Sequence, residues 1–164
     1  MQKQKQNLPL VNLNQLIKEH FPRTKKIYGK SEVLLGELLW NENLLKSLAF
    51  ARRCGTLRGG LENIEHQLLN EQAGLDKLNE KNKDNLKRKY SRILLVTNDG
   101  SERFYHRCEM LLLKYSHRVF AFSLNVSSET LGEALFGKGK HVKSLLVIKK
   151  EMAEKILSEI VKRK

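Results

Sequence analysis

Apolar residues recur along this chain in two rhythms, helical spacing and short continuous runs, and the changes between them mark out the elements. After a polar lead rich in lysine and glutamine, residues 8–21 form a short amphipathic piece and Arg23-Thr24-Lys25-Lys26 a basic stretch. From Ser31 the spacing is helical: Ser31-Glu32 resembles a capped start, and Val33, Leu34, Leu38 and Trp40 leave a mostly apolar face. A second helix starts at Asn41 or Asn43, repeats Leu44, Leu45, Leu48 and Ala49, and stops at Gly55. Thr56-Leu57-Arg58 is long enough for a brief strand, and Gly59-Gly60 opens a helix over residues 61–69.

The rhythm then breaks. Residues 72–90 read QAGLDKLNEKNKDNLKRKY, poor in apolar positions and rich in lysine and asparagine, the composition of an exposed insertion or charged helix. Beyond it come a buried-type strand at 93–97, the turn Asn98-Asp99-Gly100-Ser101, and a helix whose Phe104, Cys108, Leu111, Leu112 and Tyr115 share a face. A strand at 119–123, a short helix at 128–136, a strand at 143–148 and an amphipathic helix at 151–161 follow. Strands separated by helices predict an α/β chain: a three-layer α/β/α sandwich on a four-stranded mixed sheet. Residues 1–40 read as a basic helical N-terminal extension, and residues 41–164 as the domain, interrupted by the charged insertion at 72–90.

Composition narrows the partners. The 164 residues suit one domain plus extensions, and Lys and Arg outnumber Asp and Glu by 31 to 18, a net charge of +13. An excess of that size attracts a polyanion, and nucleic acid is the usual one. The two cysteines, Cys54 and Cys108, have no paired spacing, so a reducing compartment is expected. With no signal-type apolar segment and no run of membrane-spanning length, a cytoplasmic protein without a membrane partner is the expectation.

One stretch invites an enzymatic reading. GEALFGKG, residues 132–139, imitates a phosphate-binding loop, but Gly139 stands where a hydroxyl residue must reach magnesium, and a helix precedes the loop while a strand follows it. That order is the reverse of what phosphate cradling uses. Asp99, Ser101 and His106 could be assembled into a triad on paper, yet Ser101 is better explained as a helix cap. No cluster of histidine, cysteine and carboxylate has metal spacing, and neither a cofactor nor a metal is expected.

Three segments together resemble the kink-turn-binding ribosomal protein superfamily, which includes ribosomal proteins L-seven-Ae and L-thirty-e, and most closely its bacterial YlxQ-like branch. Residues 44–57, LLKSLAFARRCGTL, are similar to that branch's first helix. Residues 94–101, LLVTNDGS, resemble its strand and acidic turn, and residues 130–138, TLGEALFGK, its leucine-glycine helix. The resemblance implies a non-enzymatic RNA-binding protein of the ribosome or another ribonucleoprotein, with structured RNA, ribosomal RNA first, as partner. It places the RNA face at the helix start after the first short strand, at Gly59, Gly60, Glu62, Asn63 and His66, and at the loop bearing Asn125 and Ser127. Arg52, Arg53, Arg58, Lys138 and Lys140, with His141 and Lys143, would hold phosphate along the same edge.

A departure bears on specificity. Kink-turn binders typically carry Asn, Glu and Lys where this chain has Glu62, Asn63 and His66; an ionised Glu62 cannot donate, and His66 is a weaker, pH-dependent cation. Two further readings stay open: a protein-interaction domain of the same fold without RNA specificity, and a substrate-recognition partner of an RNA-modifying enzyme. The run 81–92, with Asp84 alone among Lys81, Lys83, Lys87, Arg88, Lys89 and Arg92, reads as a solvated face or a phosphate-tracking element.

Overall fold

The computed structural model describes residues 12–79 and 89–163. The polar lead before Asn12 and residues 80–88, which carry most of the basic run at 81–92, lie outside the described residues.

The apolar runs in the second half of the chain form β4 (Arg92–Val96) and β5 (Val119–Leu124), which pair in parallel with Arg92 opposite Val119 and Val96 opposite Ser123. Both are buried almost throughout, as expected of strands covered on two faces. Beside β4, β6 (Ser144–Val147) runs antiparallel, and β3 (Leu57–Gly59) runs antiparallel to β6. On the other flank β5 pairs in parallel with β2 (Leu34–Leu38), which pairs in turn with β1 (Lys25–Lys26). These make one mixed six-stranded sheet in the order β1-β2-β5-β4-β6-β3.

Alternate side chains of the central strands enter two separate cores. Ile93, Leu95, Phe122, Leu145 and Val147 pack with α1 (Leu13–His20), α2 (Glu42–Arg53), α5 (Ser128–Phe136) and α6 (Lys150–Lys162). Leu94, Val96, Ala121 and Leu146 face the other way, onto α3 (Leu61–Asn79) and α4 (Glu102–Lys114). The starts of α2, α4 and α5 are capped by polar side chains. Asn41, Ser101 and Ser127 each accept a backbone N–H in the first turn of α2, α4 and α5.

The sheet has six strands, not the expected four, because the segment expected as a helix at 31–40 is the strand β2 and the basic stretch before it supplies β1. Gly36 explains the outcome: a Cβ there would lie 2.9 Å from the Phe122 ring, so the backbone itself packs against β5. Leu35 and Leu38, an odd number of residues apart, enter opposite cores, which a strand permits and one helix face does not. The Ser31 hydroxyl caps no helix; it donates to the Glu109 carboxylate on α4 and accepts the Val33 N–H at 3.0 Å. The preceding amphipathic piece belongs to the core as well, since Leu13, Leu16 and Ile17 are buried and the Leu13 N–H donates to Glu154 Oε2 at 2.8 Å. Helix α3 runs to Asn79, ten residues beyond the expected end at 69, so the start of the charged insertion is helical.

Candidate nucleic-acid interface

The strand register brings the expected site segments to one edge of the sheet. Gly59 pairs with Leu145 and Val96 with Ser144, while Ser123 lies opposite Val96 and Leu38 opposite Leu124. The carboxyl ends of β3, β4, β5 and β2 therefore line up with the start of β6. Onto this edge open Gly60, the turn at 98–101, the loop at 125–127 and the approach to β6 at 140–143.

At its β3 end the edge is built around two glycines. A Cβ on Gly59 would lie 3.2 Å from the Phe136 ring and 3.6 Å from Val142, so absence of a side chain lets α5 close over the strand. Gly60 has φ +89°, a left-handed conformation that glycine adopts without strain, and its N–H donates to the Ser144 carbonyl at 3.0 Å. This turn aims the start of α3 along the edge. The first intrahelical bond runs from Ile64 N–H to the Gly60 carbonyl, and no side chain among the described residues caps the helix. The N–H groups of Leu61, Glu62 and Asn63 thus have no acceptor among the described residues.

The two neighbouring helix starts are closed. On α5, Ser127 accepts the Thr130 N–H at 3.1 Å, and Asp99 takes the Ser128 N–H at 3.0 Å and its hydroxyl at 2.9 Å. Burial would raise the Asp99 carboxyl, but these Ser128 bonds outweigh it and hold the group below the usual carboxylate range. On α4, Ser101 accepts the Phe104 N–H at 3.1 Å. The turn between β4 and α4 is itself fixed by Tyr105, whose hydroxyl donates to the Thr97 carbonyl at 2.7 Å and accepts the Gly100 N–H at 2.9 Å.

Beyond α5 the chain turns through Gly137, φ +112°, and Gly139, φ +81°. It then doubles back so closely that a Cβ on Gly132 would sit 2.2 Å from the Lys140 carbonyl oxygen. The order helix, turn, strand is the one expected for residues 132–139. Lys138, Lys140, His141 and Lys143 are all exposed, and Lys143 Nζ stands 5.7 Å from the Phe104 ring centroid.

The remaining expected residues divide. Arg52 reaches the edge, its guanidinium 4.9 Å from the centroid of Phe136, the same ring that covers Gly59. Arg53 turns the other way, 5.8 Å from the Phe50 ring. Arg58 folds back on the backbone, donating to the Gly55 carbonyl at 3.2 Å. Glu62, Asn63 and His66 share an exposed face of α3, with the Asn63 amide donating to the Gly59 carbonyl at 3.0 Å. Asn125 Oδ1 accepts the Trp40 N–H at 2.7 Å, which leaves its amide N–H groups outward, and Ser127 is spent as a cap. Phe136 was not among the expected site residues, since it read as the apolar end of a helix; its contact with both Arg52 and Gly59 makes it the organiser of this corner.

The residues of the paper triad do not meet: Asp99 serves α5, Ser101 serves α4, and His106 Nδ1 lies 3.3 Å from Glu109 and from the Tyr28 hydroxyl. Burial pushes the Cys108 thiol up to about 12, which keeps it protonated, and Cys54 is an exposed free thiol at the end of α2. Among the described residues no group of three or more histidine, cysteine or acidic side chains could hold a metal ion, and no helix is long and apolar enough to cross a membrane.

The class established by this architecture is α/β with one mixed sheet. No family model and no curated protein matches the chain. Among solved structures, a protein with unknown function from Bacillus halodurans C is similar at 19% identity, with 74% of this chain and 99% of that chain covered and a TM-score of 0.47, a likeness too loose to carry a shared fold.

Proposed function

We propose that this chain is a non-enzymatic module that holds structured RNA, ribosomal RNA foremost, against the edge built from the α3 start and the turn at 137–143. The observation that carries the proposal is the contrast among three helix starts on one edge. Those of α4 and α5 are closed by side chains, and that of α3 is open behind a left-handed glycine. Open N–H groups and the helix dipole suit a phosphate, and the exposed Arg52, Lys138, Lys140 and Lys143 supply the sequence-independent attraction. The three-layer sandwich and the kink-turn-binding resemblance belong to this reading. Because Glu62 and His66 depart from the kink-turn residues, recognition rests on shape and on phosphate held by the surrounding cations more than on kink-turn base edges. A cytoplasmic setting, among reduced thiols, completes it.

The test is binding of ribosomal RNA transcripts to the full chain at about 50 and about 200 mM salt, where phosphate contacts weaken steeply. Gly60→Val combined with Arg52→Glu is expected to weaken binding at least about ten-fold at the lower salt, with unchanged circular dichroism. Full retention of RNA by that variant would overturn the assignment.

One observation favours a protein partner instead. Leu69, Met110 and Leu113 on α3 and α4 are 52%, 54% and 58% exposed, apolar area that a protein surface could cover. Affinity for a partner bound there would survive the rise in salt.

A further inference from the structure

The edge does not end at Asn125. A groove of about 610 Å3 opens there, running from Leu38, Leu39 and Asn125 between the start of α2 and the end of α6. A second hollow of about 200 Å3 continues along the same helix pair to Phe50. Asn43, Ser47, Glu159 and Arg163 line both, so the two are one track, extending about 10 Å along α2 from Asn43 to Phe50. Its floor is apolar, with Leu44, Ile156 and Ile160; around it stand the amides of Asn43 and Asn125 and four cations, Lys25, Lys46, Lys155 and Arg163, against two carboxylates, Glu37 and Glu159. At the far end the Phe50 ring is 36% exposed, with Lys155 Nζ 4.0 Å and the Arg53 guanidinium 5.8 Å from its centroid.

An apolar floor, amide hydrogen-bonding groups and an aromatic ring attended by cations are what an unpaired nucleotide strand requires. Bases stack on rings and present their edges to amides, while phosphates follow the positive charge. We infer that a single-stranded flank of the bound RNA lies in this groove, one base on Phe50 and its phosphates on Lys155, Arg53 and Arg163. The Lys155 ammonium, on a flexible stem, moves from the ring to a phosphate as the base arrives. Arg53, turned away from the helix-start edge, then has a role in this track. The inference rests on the RNA-binding reading and extends it along a surface remote from Gly60.

Two RNA probes separate the inference from that reading: a ribosomal-RNA hairpin with blunt ends, taken from a transcript the chain binds, and the same hairpin with a single-stranded extension of about ten uridines, each bound to the full chain. The extension is expected to raise affinity about ten-fold, the scale of one stacked base, and 4-thiouridine within it to crosslink to α2 and α6. Phe50→Ala with Arg163→Glu, and separately Lys155→Glu, is expected to remove the gain while leaving blunt-hairpin affinity within about two-fold. Equal binding of the two probes by the unaltered chain would overturn the groove and leave the edge standing. Binding of the free oligouridylate without binding of the blunt hairpin would retain the groove and overturn the edge. Binding of neither overturns both.

Discussion

The start and the middle of α3 treat charge in opposite ways. Midway along the helix, Glu71 Oε1 accepts from Arg92 Nε at 3.0 Å and Arg118 Nη1 at 2.8 Å, and its Oε2 accepts from Gln67 at 2.7 Å. Arg118, 4% exposed, also donates to the Leu68 carbonyl at 3.0 Å and to Gln72 at 3.2 Å. Glu71, Arg92 and Arg118 thus answer one another inside the fold. At the Gly60 end the first N–H groups are open, and the lysines of the 137–143 turn form no ion pair among the described residues. A net charge of +13 is therefore not a uniform coat: the arginines at the amino ends of β4 and β5 are structural, whereas Arg52, Lys138, Lys140 and Lys143 around the carboxyl edge form no ion pair among the described residues.

The largest effect is expected where charge is consumed. Glu71→Ala leaves Arg92 and a buried Arg118 without their carboxylate and should cost about 3–5 kcal/mol in urea unfolding, with the RNA affinity of the folded fraction unchanged. The pH dependence follows. Burial pushes the Glu71 carboxyl up, but bonds from Arg92, Arg118 and Gln67 outweigh it and hold the group below its ordinary value. A depressed folded value means that the stabilisation is complete above the unfolded pKa and fades as pH falls through the folded one. The stability gap between the natural chain and Glu71→Gln should therefore be widest near neutrality and close in acid, below about pH 4. A gap independent of pH would show that Glu71 is not the ionised centre of the cluster.

The next effect touches both stability and ligand. Gly132→Ala puts a methyl group 2.2 Å from the Lys140 carbonyl oxygen, and because both sides are backbone the clash cannot be relieved by a rotamer. A loss of about 1–3 kcal/mol is expected, with displacement of the 137–143 turn and weaker RNA binding. Should melting temperature and RNA affinity both stay unchanged, the close approach of turn to helix would be disproved.

These residues also show what could be read from the chain alone. Signals confined to a few neighbours were legible: of the two expected starts Asn41 caps α2, Ser101 caps α4 as expected, and the doubled glycine before Leu61 does open a helix. Ser31 carries the same local signature and misled, because its hydroxyl is claimed by Glu109 from a distant helix and the backbone after it is claimed by β5. Gly36 was the available warning, since glycine weakens a helix interior and suits a close backbone approach. Arg52 and Arg53 are indistinguishable as neighbours in sequence; Phe136 on α5 and Phe50 on α2 separate them. The groove was illegible for the same reason, because Asn43 and Arg163 share a wall only after α2 and α6 have packed on one face of the sheet.

The smallest effect on stability should be the most informative about ligand. Lys138 and Lys140 are exposed on a turn and hold nothing in the fold, so Lys138→Gln with Lys140→Gln should leave unfolding within about 0.5 kcal/mol of the natural chain. If both meet phosphate, the slope of log affinity against log salt should become shallower by about 1.5–2, one counterion-release contribution per lost charge. Arg92→Gln removes a cation spent on Glu71 in the middle of α3 and is expected to do the reverse, lowering stability with no change in slope. A slope that responds equally to both substitutions would mean that RNA senses only total charge. The distinction between spent and free cations would then be a property of the fold without consequence for binding.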